Sequence, residues 1–584
     1  MSRILIVSDA PYHATGYGVQ VKHLARLMVE DGHRVFVFCP GAFMGGIVEW
    51  EPGVTVVGTG GGDDRWGNRC MNDIADWVKP DVILTWLDVH GMQNYGWTTY
   101  PTYAWAPIDT APVSKPERMI LDRMAKVISP SRWGQEILKQ HNLDADYVPC
   151  GVDIDTYDID EDGGKTWRKQ IDGCDEDTFL IGMVGLNTGS PDRKGYGYAF
   201  DILKSFFDRH PQDKITAYLH TDPGGDGTAI PLINLRDELG LADKVAFMPP
   251  QLPWGHTELY MRHMYNSFDV MLHTSLTEGF GVPVVEAQAC GTPVVANACT
   301  SVTELVAGCG GYPAPYLTTS WINTVTNIYI PDVNALLAKL EEAYIDWKAR
   351  KAAGNLALWR EMIRHSVTAY GWRNVYENHW RAALADIPAP INFEEAGGLL
   401  GPKLMLGAGR NVPRDHAGWV FHDKDKFYDH IDVAWDLTQF PWPVEDNTYG
   451  YIEMEDVLEH LKGDLTEVMD ELWRIIKPDG YVYIHTAEAG SWQLMKDPTH
   501  VRGFMPDSLD YYDPGTVTGR AYTYSQRQWS VVRRTMDNGG LVFVLQPRKA
   551  AVEWVQHFPN GSGEHVPDDC AACGIEREVV SAAG

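Results

Sequence analysis

Short apolar runs alternate with stretches of helical spacing in the first quarter of the chain. Residues 4–7 form a buried-strand run, and a glycine-containing loop at 11–18 follows them. Residues 21–28 have helical spacing, and 32–39 predict a turn and a second strand. This strand–loop–helix–strand unit favours a parallel sheet with crossover helices. Further strands are predicted at 54–57, 82–86, 102–106, 126–129 and 146–148.

The same rhythm resumes after a charged, glycine-containing connector or short helix at 158–173. Strands are predicted at 179–184, 214–219, 245–248, 270–273 and 293–295. Two Rossmann-like domains that face a cleft are therefore expected, because such sheets bind ligands at the carboxyl ends of their strands. A long amphipathic stretch at 333–365 closes the second domain, and an aromatic-rich helix at 372–384 follows it.

A third strand–helix unit follows a proline-broken segment. Residues 403–410 predict a strand and a glycine turn, and 419–423 predict a second strand that ends in an acid. A helix at 465–476 and a strand at 481–486 come later. The predicted division of the chain is 1–158, 159–386, a linker at 387–400, a third domain at 401–550 and a tail at 551–584.

Composition limits the classes of protein that fit. A chain of 584 residues is too long for one hydrophobic core, so about three or four domains are expected. The formal net charge of −30 weighs against extensive nucleic-acid binding and against docking on anionic lipid. No apolar run reaches the roughly 18 residues of a membrane span, and the first residues predict a strand and not a signal peptide.

Cysteine usage favours a reducing compartment, for which the cytoplasm is the simplest account. Nine cysteines form no dense framework, and an odd number cannot fully pair. Cys570 and Cys573 have metal or redox spacing but no second pair nearby, so this pair is interpreted as incidental. Residues 58–64 are glycine-rich and predict a flexible loop.

Two glutamates lie in the most informative segment, residues 273–296. Glu278 is in a loop just past a predicted strand, and Glu286 is in the first turns of the next helix. Gly279 and Gly281 let a backbone approach a ligand closely. The helix N-terminus favours an anion, and carboxylates accept hydrogen bonds from sugar hydroxyls. The segment therefore fits a ligand that combines a sugar with phosphates.

This segment resembles the Glu-x7-Glu signature of retaining, nucleotide-sugar-dependent glycosyltransferases of GT-B architecture, the family 4-like "glycosyl transferases group 1". The resemblance includes the flanking glycines and the Gly291-Thr-Pro-Val-Val-Ala turn. It implies that Glu286 contacts the ribose and that Glu278 lies near the donor sugar. The backbone from Phe280 to Val282 would face the sugar or phosphate. The helix at 372–384 resembles the helix that crosses back onto the first domain.

A basic pair supplies the charge that a diphosphate leaving group needs. Arg193 and Lys194 end a loop after a strand, and cations there lower the barrier to loss of the diphosphate. Lys194 resembles the family's diphosphate-binding lysine, while Leu186 follows Gly185 where the family usually has an arginine. No Asp-x-Asp metal motif lies at a matching strand end, so we predict transfer without a metal ion.

The first domain is expected to form the opposite wall of the cleft. Gly16, Tyr17 and Gly18 open its first helix and would place N–H groups near the diphosphate. Asp88 and His90 are the candidates for the acid or histidine that the family often has near the sugar. Asp109 resembles a further acidic cleft residue, and Ser131 is expected to be structural.

The third unit resembles a class I, S-adenosylmethionine-dependent methyltransferase over roughly residues 400–550. The resemblance rests on the succession of motifs at 446–447, 456–460 and 477–480, and on 497–506, which is similar to a segment of methyltransferases in sugar-modifying gene clusters. Methyl transfer mainly requires positioning of the methyl group beside a nucleophile. The resemblance implies that the cofactor is bound by Gly407, Gly409, Asp423, Asp456 and His460. His460 is also a candidate for the base, and Glu459 is the alternative.

These patterns predict an α/β chain with twin Rossmann-like GT-B domains and a C-terminal methyltransferase-like Rossmann domain. The predicted function is retaining transfer of a sugar from a UDP- or GDP-sugar, with S-adenosylmethionine as a second cofactor. A glycan, a protein side chain and a modified nucleic acid all stay open as acceptor, although the charge weighs mildly against DNA. Two alternatives stay open: a non-catalytic sugar-nucleotide-binding or assembly protein, and a methyltransferase-like domain that is only structural. The sequence does not give the oligomeric state.

Overall fold

The computed structural model describes residues 2–40, 46–58, 66–68, 70–92, 100–189, 191–225, 227–248, 256–388, 391–410, 417–522, 524–537 and 540–549. The glycine-rich loop predicted at 58–64 lies outside these residues except for Gly58, and the tail with Cys570 and Cys573 lies entirely outside them. No helix in the described ranges is both long enough and apolar enough to cross a bilayer.

The first sheet has eight strands within the described residues, in the order β3-β4-β2-β1-β5-β6-β7-β8. All neighbouring strands are parallel except β3, which runs antiparallel to β4 at the edge. The sequence did not predict β3, because its residues are mostly exposed and lack a buried apolar face. The strands are β1 Arg3–Val7, β2 Arg34–Cys39, β3 Gly46–Glu51, β4 Val54–Gly58, β5 Val82–Thr85, β6 Thr102–Trp105, β7 Lys126–Ser129 and β8 Ala145–Tyr147.

Four helices accompany this sheet in the part of the chain that the structure describes: α1 Gly16–Glu30, α2 Met71–Val78, α3 Lys115–Leu121 and α4 Arg132–Gln140. Thr15 caps α1, since its side chain accepts a hydrogen bond from the N–H of Gly18. Ser131 caps α4 in the same way, which gives this residue the structural role predicted for it.

The second sheet is wholly parallel, and its six described strands follow the order β11-β10-β9-β12-β13-β14. Its strands are β9 Phe179–Val184, β10 Ile215–His220, β11 Val245–Phe247, β12 Val270–His273, β13 Val294–Asn297 and β14 Gly311–Ala314, and a hairpin of β15 Tyr316–Trp321 and β16 Asn327–Pro331 follows. Its helices are α5 Glu161–Arg168, α6 Tyr196–Arg209, α7 Leu232–Glu238, α8 Glu258–Ser267, α9 Val282–Ala289, α10 Val302–Leu305, α11 Val333–Ala353 and α12 Leu356–Ser366. The stretch predicted at 333–365 is thus two helices, because Gly354 ends α11 in the left-handed conformation, with φ of 69°.

The chain then returns to the first sheet. Helical residues run from α13 Trp372–Val375 through a π-helical turn, Tyr376–Trp380, to α14 Arg381–Ala383. The indole of Trp380 packs edge-on against Trp105 of β6, with ring centroids 4.9 Å apart. Lys126 of β7 donates a hydrogen bond to the carbonyl of Ala383 at 2.9 Å. These contacts fix the end of the second region on the first.

The third sheet has seven described strands in the order β19-β18-β17-β20-β21-β23-β22. They are β17 Lys403–Leu406, β18 Trp419–Asp423, β19 Val433–Ala434, β20 Tyr449–Glu455, β21 Ile476–Ala487, β22 Trp529–Asp537 and β23 Gly540–Pro547. Only the pairs that involve β23 are antiparallel among these strands. The helices are α15 Phe393–Leu400, α16 Leu465–Ile475, α17 Trp492–Lys496 and α18 Val517–Ala521. The segment predicted as a linker therefore contains α15, whose Phe393 joins a buried cluster with Met405 and Tyr451.

The outermost strand of the third sheet, β22, lies against the first region. The side-chain amide of Asn72, on α2, donates a hydrogen bond of 2.5 Å to the backbone carbonyl of Arg534. Arg533 forms an ion pair with Asp76 of the same helix. Arg123 lies 3.3 Å from a carboxylate oxygen of Asp513, whose side chain is almost fully buried. The third domain is therefore joined to the first by polar contacts of both exposed and buried groups.

Candidate active site

Glu278 lies in the loop between β12 and α9, and its backbone is fixed on both sides. Its N–H donates a hydrogen bond of 3.1 Å to the hydroxyl of Thr300. The hydroxyl of Ser301 lies 2.8 Å from the carbonyls of both Glu278 and Phe280. Gly281 takes φ of 101° at the N-cap of α9, a conformation that a side chain would strain. This turn directs the Glu278 carboxylate into the cleft between the first two sheets.

Two cations and a histidine surround the Glu278 carboxylate. Lys194 forms a hydrogen-bonded ion pair with one carboxylate oxygen, and Arg193 lies 3.7 Å from the other. Nε2 of His273 is 3.5 Å from the carboxylate. Burial would raise the pKa of Glu278, but Lys194 and Arg193 outweigh it and hold this pKa well below its usual range. Burial lowers the pKa of His273 to about 4, so its ring is neutral at pH 7.

The two cations differ in exposure. The side chain of Lys194 is 14% exposed, whereas that of Arg193 is 47% exposed. Arg193 also donates a hydrogen bond of 3.2 Å to the carbonyl of Thr277, in the same loop as Glu278. The pKa of Arg193 is raised: burial acts against the charge, but the acids Glu278, Asp109 and Asp88 outweigh it. Arg193 is thus a fixed cation that a ligand in the cleft can reach.

The first region supplies an acidic wall opposite this cluster. Asp109 accepts a hydrogen bond of 3.3 Å from the hydroxyl of Thr277, which joins the two regions across the cleft. Burial raises the pKa of Asp109 to about 6, although Arg193 opposes the shift. Asp88 accepts a hydrogen bond of 2.5 Å from the Tyr17 hydroxyl. Burial, together with Asp88, raises the pKa of Tyr17, so the phenol keeps its proton.

A cavity of about 450 Å³ lies between the first two regions. Gly185 in its wall is next to the cluster, because a Cβ on Gly185 would lie 3.3 Å from Cδ of Lys194. Glu286 lines one end of the cavity, and its carboxylate accepts a hydrogen bond of 2.8 Å from the hydroxyl of Tyr265. Burial raises the pKa of Glu286 to about 7, against the effect of hydrogen bonds from Tyr265 and Tyr157. With a pKa of about 7, this carboxyl group can accept hydrogen bonds from a ligand's hydroxyl groups when it is ionised and donate one when it is protonated.

The predicted glycines fall into two groups. Gly16 is exposed and lines the cavity, and no atom of the described residues lies within 4 Å of the place a Cβ would take. A Cβ on Gly18 would lie 2.4 Å from the His13 carbonyl oxygen, and one on Gly279 would lie 2.6 Å from Cβ of Pro107. Gly16 therefore offers backbone to a ligand, whereas Gly18 and Gly279 allow close packing of the chain itself.

Phe280 and Val282 also differ in whether they pack within the protein or line the cavity. Phe280 is buried and packs edge-on against Tyr370, with centroids 5.7 Å apart. Val282, the first residue of α9, lines the cavity. The structure places His90 on the 3₁₀ turn Val89–Gly91, where its exposed ring contacts Trp66 at 5.8 Å. Asp88, not His90, is thus the member of that pair that joins the acidic wall.

Several cavity residues had no signal in the sequence. Tyr157 and Tyr265, the partners of Glu286, lie on segments that are far apart in the sequence. Glu258 at the start of α8 pairs with Lys22 and His23 of α1, and so bridges the cleft. Burial would raise the pKa of Glu258, but His23 and Lys22 lower it to about 2. Leu186, where the family usually has an arginine, is an exposed residue of the cavity wall.

The methyltransferase-like motif residues meet at one edge of the third sheet. Asp423 is the last residue of β18 and accepts hydrogen bonds from the N–H of Gly409 at 2.8 Å and of Lys424 at 2.6 Å. Among the described residues, the nearest atoms to a Cβ on Gly409 are 3.9 Å away or farther, so these residues leave room for a ligand at the turn. A Cβ on Gly407 would lie 2.6 Å from a methyl group of Val457, so Gly407 serves strand packing. The open turn beside an acid fits a cofactor that carries a ribose.

Asp456 and His460 lie next to this edge, after β20. Asp456 has φ of 52° and accepts a hydrogen bond of 2.7 Å from Nδ1 of His485. This hydrogen bond, against burial, lowers the pKa of Asp456. Glu459 is buried, with hydrogen bonds from the Thr486 hydroxyl and the Ala487 N–H. His460 is more exposed than Glu459 and contacts Thr499.

Two family models match the chain. Residues 224–312 match glycosyl transferases group 1, and residues 372–524 match a methyltransferase domain. D-inositol 3-phosphate glycosyltransferase of Mycolicibacterium smegmatis is 28% identical over 262 residues, which cover 40% of this chain and 56% of that protein. The enzyme of the same name from Geodermatophilus obscurus is 31% identical over 274 residues, 45% of this chain and 53% of that protein. The chain spans about half the length of these curated relatives.

A solved structure shares the fold over about two thirds of the chain. Sucrose-phosphate synthase from Thermosynechococcus elongatus superposes with a TM-score of 0.50 at 17% identity, and covers 66% of this chain and 100% of its own. Likeness at this identity shows the fold and no more. The predicted fold class and the predicted resemblance are confirmed. The chain is a fusion of a GT-B portion related to glycosyl transferases group 1 with a methyltransferase-like domain.

Proposed function

We propose that the chain is a glycosyltransferase that binds a nucleoside-diphosphate sugar in the cleft between its first two sheets. The observation that carries this proposal is the Glu278–Lys194–Arg193 cluster, which faces Asp109 beside a cavity of about 450 Å³. Such a cleft offers cations for a diphosphate and carboxylates for sugar hydroxyls. UDP- and GDP-sugars are the donors to test first.

Each group has a role in this proposal. Arg193 takes the charge that develops on the departing diphosphate, because it is the more exposed cation. Lys194 holds Glu278 ionised and in place, so that this carboxylate can accept hydrogen bonds from the donor sugar. Glu286 receives the ribose hydroxyls. The basic pair stands in for a divalent ion, so transfer without a metal ion remains our prediction.

Retention of the anomeric configuration is also part of the proposal. A double displacement would need a carboxylate nucleophile at the anomeric carbon. Glu278 is already paired with Lys194 and Arg193, and Glu286 has a raised pKa, so neither carboxylate is suited to attack. We propose transfer on one face, in which the leaving phosphate helps to deprotonate the acceptor. Observation of an inverted product anomer by NMR would contradict this.

The acceptor proposed first is a polyol phosphate. The relatives named above carry D-inositol 3-phosphate in their name, and the acceptor enters from the first region, where Asp88 and Asp109 form the wall. Glycans, protein side chains and modified nucleic acid are the other acceptors to test. Methylation of the product, or of a group beside the new sugar, would be the task of the third domain with S-adenosylmethionine. The open turn at Gly409 and the Asp423 carboxylate support that cofactor.

The cytoplasm is the compartment we propose. The chain has nine cysteines, an odd number that cannot fully pair, and a reducing compartment keeps thiols reduced. Fractionation of cells that express the full chain tests this proposal, and recovery outside the cytoplasm would contradict it.

A panel of UDP-, GDP- and ADP-sugars tests the donor proposal directly. Slow hydrolysis of one donor by the full chain is expected, and Arg193→Ala should reduce it by about 100-fold, because one charge that stabilises the leaving group is lost. Arg209→Ala is the matched control, since Arg209 is an exposed arginine of α6 paired with Glu341. Absence of both turnover and binding for every donor would favour a non-catalytic assembly protein.

A further inference from the structure

His460, Asp497 and His500 form a cluster that the proposed functions do not require. Each residue offers one ligand atom, and these atoms lie within 4.8 Å of one another. The two imidazole rings are arranged edge to face, with centroids 4.5 Å apart, and all three residues are half-buried. We propose that this cluster binds a divalent transition-metal ion.

The hydrogen bonds of the cluster prepare both rings to be ligands. The Thr499 hydroxyl donates its one proton to Asp497, at a distance of 2.6 Å. The same hydroxyl lies 2.9 Å from Nδ1 of His460, so there it must accept a hydrogen bond from that nitrogen. Nδ1 of His500 lies 3.0 Å from the Leu494 carbonyl, which can only accept. In its neutral form, each ring therefore carries its proton on Nδ1, which leaves a lone pair on Nε2. Histidine ligands of metal ions commonly have such a bond on the opposite nitrogen.

Hydrogen bonds around the cluster hold the segments that carry the three ligands close together. The Val501 N–H donates a hydrogen bond of 2.8 Å to the Glu459 carbonyl, next to His460. The guanidinium of Arg502 donates to the carbonyls of Leu461 and Gly463, both at 2.8 Å. Asp497 accepts from the N–H of Thr499 as well as from its hydroxyl, and these bonds lower its pKa. Two segments distant in sequence are thus pinned together on both sides of the cluster.

The ligand set indicates the class of ion. Two imidazoles and one carboxylate suit Zn²⁺, Fe²⁺, Co²⁺ or Mn²⁺ better than Mg²⁺ or Ca²⁺, which prefer oxygen ligands. Three protein ligands leave at least one position for water or for an oxygen of a bound molecule. This site was not predicted from the sequence, because His460 was interpreted as a cofactor or base residue and no metal ligand was predicted.

Two other groups of the described residues have suitable ligand types and serve as alternatives in the test. Asp9, His13 and Cys39 form one, and His23, Asp153 and Glu258 form the other. Glu258 is already paired with Lys22 and His23, and Asp9 accepts a hydrogen bond from Thr15. A thiolate ligand would distinguish the first group, because cobalt bound to sulfur has a strong charge-transfer absorption that cobalt bound to nitrogen and oxygen lacks.

Metal content of the full chain tests the site without any substrate. The protein carries Cys570→Ser and Cys573→Ser so that these cysteines cannot bind the metal ion. It is dialysed against Zn²⁺ or Co²⁺, and its metal content is then measured by mass spectrometry. We expect about one ion per chain, and a visible cobalt spectrum without the sulfur band. His500→Ala and Asp497→Asn should each weaken binding by more than about tenfold. His141→Ala is the matched control, because Nδ1 of His141 also faces a carbonyl, that of Ile137, but His141 lies outside the cluster.

A milder variant separates metal binding from misfolding. Thr499→Val removes only the hydroxyl that links Asp497 and His460, and should weaken binding by about tenfold while the circular dichroism spectrum stays unchanged. If the ligand variants do not fold, pulsed electron paramagnetic resonance of the wild type loaded with Cu²⁺ tests the site instead. The spectrum should then show two imidazole ligands on the ion. Wild-type protein without bound metal, or His500→Ala with unchanged affinity, would overturn the proposal. Donor hydrolysis is measured separately, so failure of one proposal does not imply failure of the other.

Discussion

Glu278 and Asp423 both lie at or just beyond the carboxyl end of a parallel strand, but the protein balances their charges in different ways. Glu278 is buried and depends on the side chains of Lys194 and Arg193, which come from another loop. Asp423 is half-buried and accepts hydrogen bonds from the N–H groups of Gly409 and Lys424. The GT-B site thus relies on charged partners distant in sequence, whereas the methyltransferase-like edge relies on its own backbone.

This difference predicts how each site tolerates substitution. A buried ion loses its balance when one partner is removed, and the loss extends to stability. An acid held by backbone N–H groups can become an amide without leaving a buried charge, since the amide oxygen still accepts a hydrogen bond. Ligand binding and stability should therefore fall together at Glu278 and separately at Asp423.

Lys194→Met should have the largest effect. It leaves the Glu278 carboxylate buried with only Arg193 and His273, so the free energy of unfolding should fall by about 3 kcal/mol, and transfer by about 100-fold or more. The double variant Lys194→Met with Glu278→Leu removes both charges and should recover most of the stability but no activity. Denaturant unfolding and donor hydrolysis measure the two effects. Recovery of activity in the double variant would show that the pair is only structural.

Glu286→Gln sharpens the comparison through pH. Burial raises the pKa of Glu286 from 4.5 to about 7, so the folded state binds a proton more tightly than the unfolded state does. The wild type therefore loses stability as pH rises from about 4.5 to 7, by up to about 3 kcal/mol, and Glu286→Gln should lack this part. Unfolding measured at several pH values gives the difference. Asp109, with a raised pKa of about 6, contributes to the pH dependence of stability with the same sign in both proteins. If the free energies of unfolding of wild type and Glu286→Gln changed in parallel with pH, Glu286 would not be protonated in the folded state.

Tyr17→Phe tests the acidic wall on its own. It removes the hydroxyl that donates to Asp88 and should destabilise the protein by about 1.5 kcal/mol, the range for a hydrogen bond to a charged group. Sugar transfer should fall while donor binding changes little, because Asp88 belongs to the acceptor side in our proposal. Steady-state kinetics with separate KM values for donor and acceptor provide the measurement. A change confined to the donor KM would contradict that assignment.

Asp423→Asn should have the smallest effect on stability. The amide oxygen can still accept from Gly409, so the free energy of unfolding should change by less than about 1 kcal/mol. Affinity for S-adenosylmethionine should fall by about tenfold, because the charge that holds the ribose hydroxyls is lost. Titration calorimetry measures the affinity, with Asp425→Asn, a nearby exposed acid, as control. Equal affinity of the wild type and Asp423→Asn would indicate that the third domain does not use this edge.

Much of the sheet structure was predictable, because a strand buried on both faces must be an apolar run. The predicted strands at 126–129, 179–184, 270–273 and 419–423 have the predicted bounds. Among the differences, β3 and α15 were not recognised, and β21 begins earlier than the strand predicted at 481–486. β3 has no buried face, α15 follows prolines that suggested a linker, and β21 begins at Ile476, across a Lys-Pro-Asp-Gly segment that favours a turn. In each case packing against a neighbour outweighs the local sequence.

The candidate site was predictable only where its residues share one motif or follow a strand. Glu278, Arg193 and Lys194 were found in this way, and the structure brings them together. The phenols around Glu286 and the bridge from Glu258 to Lys22 depend on elements that approach each other only in the folded chain. The choice between Asp88 and His90 likewise depends on the direction of one short turn, which spacing along the chain does not specify.

The position of β22 has a consequence for how the chain can be divided. This strand is the outermost of the third sheet, and α2 of the first region lies against it through Asn72 and Asp76. An uncovered strand edge is a template for pairing with another chain, and hence for aggregation. The methyltransferase-like domain produced alone would lose the helix that shields this edge, so we expect it to be less soluble than the full chain. The first domain would then protect the third in addition to its proposed part in the donor cleft.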